Sequence, residues 1–384
     1  MLKKENKIKK GLFIFLFAIM LLPGLQQNFP FITSGKLYGY FAEAPYAEFS
    51  WPKWWDGSYR DETNKYLNDN VGFRPDLLRA NNQLEYSLFQ KLHATWLAPG
   101  KDHYLFQTHH INAYYGRDFI GYAAIVDKMV KYKAINDTLA RSGKLMVLIH
   151  SPCKAFFYPE YLPENLKSPQ RKPTNFETYV HVADSLGISQ VNFNSWFVSL
   201  KQTTKELLFT KQGIHWSVYG SLLAADSLVK YIEKHRNIHV PHLVWTKIVH
   251  TTTARGPDDD LAKTLNLIYP TVTETFSYPE VTYPEDASKV KPKAIYIGDS
   301  FLETWINDGL MEHTNAEWQV WNHFSTIRDR NYAEGQPQRD IAGYDWINAI
   351  KNTDCIVIMY TSFNMNEFGD GFIEKAYEYF YPKK

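Results

Sequence analysis

A serine and a histidine in this chain each stand where a fold would hold a reacting side chain still. The stretch Ile295–Leu302, IYIGDSFL, is an apolar strand pattern that runs into Gly298-Asp299-Ser300. A strand ending in a tight glycine turn pushes one hydroxyl out at the carboxyl edge of a sheet, where open α/β sheets place their sites. A serine there can attack an acyl carbon if a base takes its proton, and histidine is the usual base at neutral pH. Alone, the octapeptide also fits a polar turn that closes a buried strand.

Of the 13 histidines, His215 has the neighbours a base needs. In LLFTKQGIHWSVYGSLLAADSL a Lys-Gln-Gly turn delivers His215-Trp216 directly before a helix that Ser217 can cap. That holds the imidazole on a rigid edge with Trp216 as a packing wall. A partly buried histidine before a helix is the plainer reading of the same residues. His109 and His110 are adjacent and cannot reach one metal from one helix face. His103, His150, His235, His239, His242 and His250 lack the Cys or Glu spacing of a zinc site, so no metal is expected. Ser151-Pro152-Cys153-Lys154 matches the S-x-x-K pattern of penicillin-binding enzymes, but no S-D-N or K-T-G companion occurs. Cys153 follows a strand with no histidine or helix start placed against it, so a thiol nucleophile is not expected.

The elements that must hold these residues read as α/β. Tyr122, Ile125, Val126, Met129, Tyr132, Ile135 and Leu139 make one helix face, which Gly143 ends. LMVLIH follows as a buried strand. Thr174-x-x-Glu177 is a capping box that opens a helix ending near Leu186-Gly187. ISQVNF is the next strand, and Leu222, Ala225, Leu228, Val229 and Ile232 form a helical stripe after His215. KAIYIGDS and CIVIMYT repeat the strand pattern. Each strand is continuously apolar, which predicts a mostly parallel sheet covered on both faces. Residues 237–293, rich in Thr, Pro and Asp, read as loops and short strands. Upstream, 31–60 reads as an aromatic loop, 61–92 as helical with Pro75 near a helix start, and 97–107 as a turn and short strand.

Composition excludes some classes. The chain has 384 residues, 45% of them hydrophobic, enough to bury a core. A formal net charge of +1 gives no basic field for nucleic acid, and no Gly-rich phosphate loop occurs. The N-terminus differs in kind: MLKKENKIKK carries five lysines and one glutamate, and GLFIFLFAIMLLPGL follows. This predicts an uncleaved signal anchor with cytoplasmic lysines and an exported remainder, a cleaved signal peptide being the alternative. The apolar stretch reaches the roughly 20 residues of a membrane span only by extending through Gln26-Gln27. Cys153 and Cys355 make no disulfide framework, and two buried thiols or one bridge both fit. The expected organisation is an anchor over 1–30, an extension with an amphipathic helix over 31–100, and a catalytic domain over 101–384.

The pairing of G-x-H-W-x-x-Y-G around His215 with strand-GDSF around Ser300 resembles the SGNH-hydrolase-like polysaccharide O-acetyltransferases, the alginate O-acetylation accessory proteins and their relatives. YLNDNVGFRPDLLRANNQLEYSLF, GKDHYLF and SPCKAFFYPEYLP are similar to stretches of that family too. The resemblance implies an SGNH-like α/β/α sandwich with permuted order, His before Ser. It implies Ser300 as nucleophile, His215 as general base, and the Ser300 backbone N–H as one oxyanion donor. It also implies a membrane-bound O-acyltransferase as acetyl donor, a polysaccharide acceptor, no cofactor, and a periplasmic domain anchored by a single pass in the bacterial inner membrane. Lys154 matches the family's P-x-K-A stretch and is expected to line the cleft, with Trp216 a further candidate for substrate contact. Asn322 in VWNHF is expected to supply a second oxyanion donor.

One position departs from the family. The alginate proteins read Asp-x-His-Trp, with the Asp orienting the histidine, where this chain has Gly213-Ile214-His215-Trp216. Losing that acid from a serine hydrolase costs about 10⁴ in rate. Asp258, Asp259 and Asp260 form the nearest acidic run and are the expected substitutes, unless they only solvate a loop or cap a helix; a slow Ser–His dyad or an inactive protein are the other outcomes. The expected activity is transfer of an acetyl group through an acyl-serine onto a cell-envelope or exported polysaccharide. A carbohydrate acetyl esterase and an inactive polysaccharide-binding subunit are the alternatives.

Overall fold

The computed structural model describes residues 2–39, 43–269, 271–333 and 335–382, with side chains from Lys7 on. Tyr40, Phe41 and Ala42, in the expected aromatic loop, lie outside the described residues. The chain divides into two compact units, Met1–Thr95 with Ala262–Thr271, and Trp96–Leu261 with Val272–Lys384.

In the first unit, helix α1 (Leu2–Asn28) contains a 22-residue segment, Lys7–Asn28, of mean hydropathy 1.9. By length and composition that segment can cross a membrane. The loop expected to reach residue 60 ends at Ser50, whose hydroxyl accepts the Lys53 N–H and caps α2 (Trp51–Asp56). The expected helix over 61–92 is two helices, α3 (Ser58–Asn70) and α4 (Arg74–Phe89). They are separated where Phe73 turns left-handed at φ 63, and Pro75 lies in the first turn of α4 as its fixed φ favours.

The second unit is built on a seven-stranded sheet. Its strands are β1 (Leu145–Ser151), β2 (Gln190–Asn192), β3 (Lys293–Gly298), β4 (Glu317–Asn322), β5 (Thr326–Asp329), β6 (Arg339–Asp340) and β7 (Cys355–Thr361). In space they run β6-β5-β4-β3-β7-β1-β2. The pairs from β4 through to β2 are parallel, and β5 and β6 add an antiparallel edge. The segment 237–293, expected as loops and short strands, contains an antiparallel pair, Val244–Thr251 with Phe276–Thr282. Its first strand mixes half-buried with exposed residues, so no continuous apolar run marks it.

Helices cover both faces, and the strands alternate between two cores. Val147, Ile149, Ala294, Tyr296, Val320, Val357 and Met359 point to one face, where α7 (Val218–Arg236) and α8 (Phe301–Asn307) pack Leu228, Val229, Phe301 and Trp305. Met146, Leu148, Ile295, Ile297, Ile356 and Ile358 point to the other, under α5 (Tyr122–Arg141), α6 (Asn175–Ser185) and α9 (Phe372–Phe380). Burial on two faces is why these strands read as unbroken apolar runs. Each fully buried Leu, Ile or Phe contributes about 1.5–3 kcal/mol. Local signals set the boundaries. Thr174 Oγ1 accepts the Glu177 N–H at 3.1 Å at the start of α6, and Ser217 Oγ accepts the Gly220 N–H at 3.0 Å at the start of α7. Cys153 and Cys355 are buried free thiols rather than a bridge, and burial pushes each up to about 12.

Candidate active site

β3 ends at Gly298, where a Cβ would fall on the Met359 carbonyl oxygen of β7. Only glycine lets the two backbones pass so closely. Asp299 then fixes the turn. Its buried carboxylate accepts the Phe301 N–H at 3.2 Å, the Thr361 N–H at 2.8 Å and the Asn364 side-chain amide at 3.0 Å. Those bonds tie the end of β3 to the end of β7 and leave Ser300 exposed at the carboxyl edge. Phe301, Leu302 and Trp305 anchor α8 beneath it, all fully buried.

His215 arrives from the other side, on a loop clamped before α7. Trp216 is fully buried, donates from Nε1 to Thr304 Oγ1 at 2.8 Å, and packs on Phe301 and Trp305 with ring centroids 5.3 and 5.5 Å away. The indole therefore locks the His215 loop to the helix that carries Ser300. The His215 ring lies 4.8 Å from that of Phe301, and its Nε2 is 3.0 Å from Ser300 Oγ.

Behind the imidazole stands Asp260. One carboxylate oxygen lies 2.7 Å from His215 Nδ1, and the other accepts the Ile214 N–H at 2.8 Å. A carboxylate only accepts, so this bond puts the proton on Nδ1 and leaves the Nε2 lone pair facing the serine hydroxyl. Serine, imidazole and carboxylate thus form one line that can draw a proton from Ser300.

Gly213 explains how an acid from position 260 gets there. A Cβ at Gly213 would come within 2.6 Å of the Pro257 carbonyl oxygen and 2.8 Å of Thr210 Oγ1. The space that a side chain at 213 would take is filled by the 257–260 loop. That loop is stitched to the histidine loop by Thr210 Oγ1 donating to the Asp258 carbonyl at 2.6 Å and the Leu261 N–H donating to the Gln212 carbonyl at 3.1 Å.

Of the other expected site residues, Asp258, Lys154 and Trp216 fall elsewhere. The Asp258 carboxylate accepts the Val218 N–H at 3.2 Å, at the first turn of α7. Burial pushes its pKa up to about 7. Lys154, expected to line the cleft, is 1% exposed instead. Its Nζ donates to the carbonyls of Lys211 and Gly213, both at 2.7 Å, and burial pulls its pKa down to about 7. It is a strut under the histidine loop. Trp216 is the packing wall expected beside His215, but with no exposed surface it is not placed as the substrate contact also expected of it. Asn322 ends β4 directly opposite Gly298, half-buried at the same edge as Ser300.

Two features were missed in the sequence. The Asp299–Asn364 bond joins residues 65 positions apart, so no local pattern announces it. His323, one residue beyond Asn322, meets Asp370 at 2.9 Å. Among the described residues, His323, Glu367 and Asp370 bring possible metal-ligand atoms within 4.8 Å of one another. The direct His323–Asp370 hydrogen bond fits a shared proton in that space.

Residues 97–304, more than half of the chain, match the sequence family described as SGNH hydrolase-like domain, acetyltransferase AlgX. Among solved structures, the chain is similar to the O-acetyltransferase domain of Pseudomonas putida AlgJ at 15% identity and a TM-score of 0.48, over 74% of this chain and 99% of that one. It is similar to Pseudomonas aeruginosa AlgX at 13% identity and a TM-score of 0.44, over 71% of this chain and 67% of that one. It is also similar to Bacillus cereus PatB1 with a sulfonyl adduct at 12% identity and a TM-score of 0.41, over 65% and 93%. Likenesses this distant carry no argument of their own. No curated protein sequence matches the chain.

Proposed function

The chain belongs to the family of SGNH hydrolase-like, AlgX-type polysaccharide O-acetyltransferases, and from that premise we propose that it moves an acetyl group through Ser300 onto a cell-envelope or exported polysaccharide. The observation that carries the reading is the His215 imidazole, 2.7 Å from Asp260 on one side and 3.0 Å from Ser300 on the other. Ser300 Oγ attacks the acetyl carbonyl carbon while His215 Nε2 takes its proton. Asp260 holds the imidazolium that forms and accepts no proton itself. The tetrahedral oxyanion is met by the Ser300 N–H, and its collapse expels the donor's leaving group with the proton from Nε2. A sugar hydroxyl then repeats the sequence, giving its proton to Nε2, attacking the acetyl-serine and leaving as the ester.

In this reading Gly213 marks a relocated acid rather than a lost one, which counts against an inactive binding subunit. The acetyl donor is a membrane-bound O-acyltransferase, and Lys7–Asn28 anchors the chain in the bacterial inner membrane with the sheet domain in the periplasm. Ser300→Ala and Asp260→Ala, expressed in place of the wild type, are expected to remove acetyl from the surface polysaccharide. Unchanged acetylation with Ser300→Ala would sink the mechanism. Adding an oligosaccharide acceptor to purified protein separates transferase from esterase: acetyl moves to sugar in the first case and only to water in the second.

A further inference from the structure

We propose that α4 lies flat on the bilayer that holds α1, its exposed leucine face seated among the lipid headgroups and the first carbons of the acyl chains. This rests on the membrane-anchor reading above. α4 is packed inside out. Arg79 donates to the carbonyls of Gly35 and Lys36 at 2.9 and 2.5 Å, and Asn82 donates to the Leu265 carbonyl at 3.0 Å. Gln83 accepts the Ile268 and Tyr269 N–H groups at 3.1 and 3.0 Å. These polar side chains spend their hydrogen bonds on other segments of the first unit. The opposite face carries Leu77, Leu84 and Leu88, seven and four positions apart, which at 3.6 residues per turn fall within about 40° of one another. They are 57, 58 and 62% exposed. A helix of a globular protein turns such a stripe to its core; here it faces out.

α1 sets what covers it. The turn between α3 and α4 sits against the last turns of the apolar helix: a Cβ at Gly72 would fall on the Pro23 carbonyl oxygen and lie 2.7 Å from Gln26 Cβ. Phe73, the residue before α4, packs edge-on against Phe31 with ring centroids 5.7 Å apart. Gln26 is buried there and folds the chain back where the apolar segment ends. Its Oε1 accepts the Phe31 and Ile32 N–H groups at 3.1 and 3.2 Å, and its Nε2 donates to the Ile32 carbonyl at 2.5 Å. Phe29, Phe31 and Ile32 stay exposed, an apolar collar at the exit of the span. α4 therefore starts at the depth where the span ends. Asn81 and Ser87 border its leucines and are exposed too, so this face is too polar for the acyl core and too apolar for water. Helices of that kind lie in the interface, with apolar side chains about 5–10 Å into the boundary between headgroups and acyl chains. Leu77 to Leu88 spans about 16 Å of helix, so lipid covers the whole stripe only if α4 runs along the surface.

The test uses the full chain with one cysteine added at a time, since Cys153 and Cys355 have no exposed surface to take a label. Leu77→Cys, Leu84→Cys, Leu88→Cys and, within α1, Phe17→Cys are labelled in detergent with a nitrobenzoxadiazole dye. Each is then reconstituted into vesicles of phosphatidylethanolamine and phosphatidylglycerol. The lipids carry a nitroxide quencher either just below the headgroup or deep in the acyl chain. At 77, 84 and 88 the shallow quencher is expected to remove at least about twice as much emission as the deep one. The order should reverse at Phe17, near the middle of the Lys7–Asn28 segment. Three positions on α4 keep the test standing if one variant fails to fold. Labels at 84 and 88 that escape both lipid quenchers and yield to aqueous iodide overturn the proposal. Labels shielded from iodide and from both lipids overturn it equally, because a second copy of the chain then covers the face. Quenching at 77 that has vanished by 88 overturns the flat orientation. A Phe17 label that neither lipid reaches defeats the anchor reading and this proposal together, whereas a deep Phe17 with indifferent α4 labels defeats this proposal alone.

Discussion

Restoring the family's aspartate at position 213 should damage this protein rather than improve it. A Cβ there lies 2.6 Å from the Pro257 carbonyl oxygen and 2.8 Å from Thr210 Oγ1, closer than real Cβ contacts come. Both neighbours belong to the stitching between the histidine loop and the acid loop, so neither can yield without moving Asp260. Overpacking of this kind costs about 1–3 kcal/mol. Losing the Thr210–Asp258 and Gly213–Thr210 hydrogen bonds adds about 0.5–1.5 kcal/mol each. The chemical cost is larger. Taking the carboxylate off His215 Nδ1 is worth about 10⁴ in rate in a serine triad, or roughly 5 kcal/mol of barrier. Gly213→Asp and Gly213→Ala are therefore both expected to lose Ser300 acylation by about 10³–10⁴-fold and to melt several degrees lower. The assay is initial-rate acylation with an activated acetyl ester beside a thermal melt. Gly213→Asp combined with Asp260→Ala should be no faster than Asp260→Ala alone. Rescue in that double variant, or full activity in Gly213→Ala, would refute the relocation of the acid.

Two further predictions test the scaffold. Lys154→Met leaves the Lys211 and Gly213 carbonyls buried without their donor, at about 1–3 kcal/mol each. Both melting temperature and acylation should fall, and a folded variant with unchanged acylation would remove Lys154 from the support of His215. For Asp258, burial raises the folded pKa to about 7 from 3.8. The folded chain then holds a proton that the unfolded chain has released, so its contribution to stability is lost as pH rises from about 4 to about 7. Asp258→Asn should flatten that part of the stability profile and gain on the wild type, by a few kcal/mol at most, at pH 8 relative to pH 5. Identical pH profiles for the two proteins would contradict the buried carboxyl.

The parts of the site that follow from local chemistry were legible in the sequence, and the parts that need tertiary contact were not. Strand-Gly-Asp-Ser placed Ser300 at a sheet edge, and the Ser217 cap placed His215 before a helix; the structure sets the two 3.0 Å apart. The acid could be narrowed only to a run of three, because choosing Asp260 depends on the path of a loop 45 residues downstream of the histidine. Lys154 and Trp216 sat in motif positions that pointed to the cleft, yet both are buried, one as a strut and the other as a wedge. A sequence shows that a lysine lies near a site, but not that its stem is enclosed and its charge spent on two carbonyls. The break between α3 and α4 escaped a helical reading that rested on Leu77, Leu84 and Leu88, which all lie within α4 and are exposed. His323 was passed over because its partner lies 47 residues on.

The central claim is that Ser300 is an acylated nucleophile driven by His215 and Asp260. Intact-mass spectrometry of the full chain after exposure to an activated acetyl ester tests it most directly, with Ser300→Ala and Asp260→Ala beside it. The account predicts a single acetyl adduct that maps to Ser300, is absent from Ser300→Ala, and forms about 10³–10⁴ times more slowly in Asp260→Ala. An adduct on another residue, or one that forms at the same rate without Asp260, would contradict it.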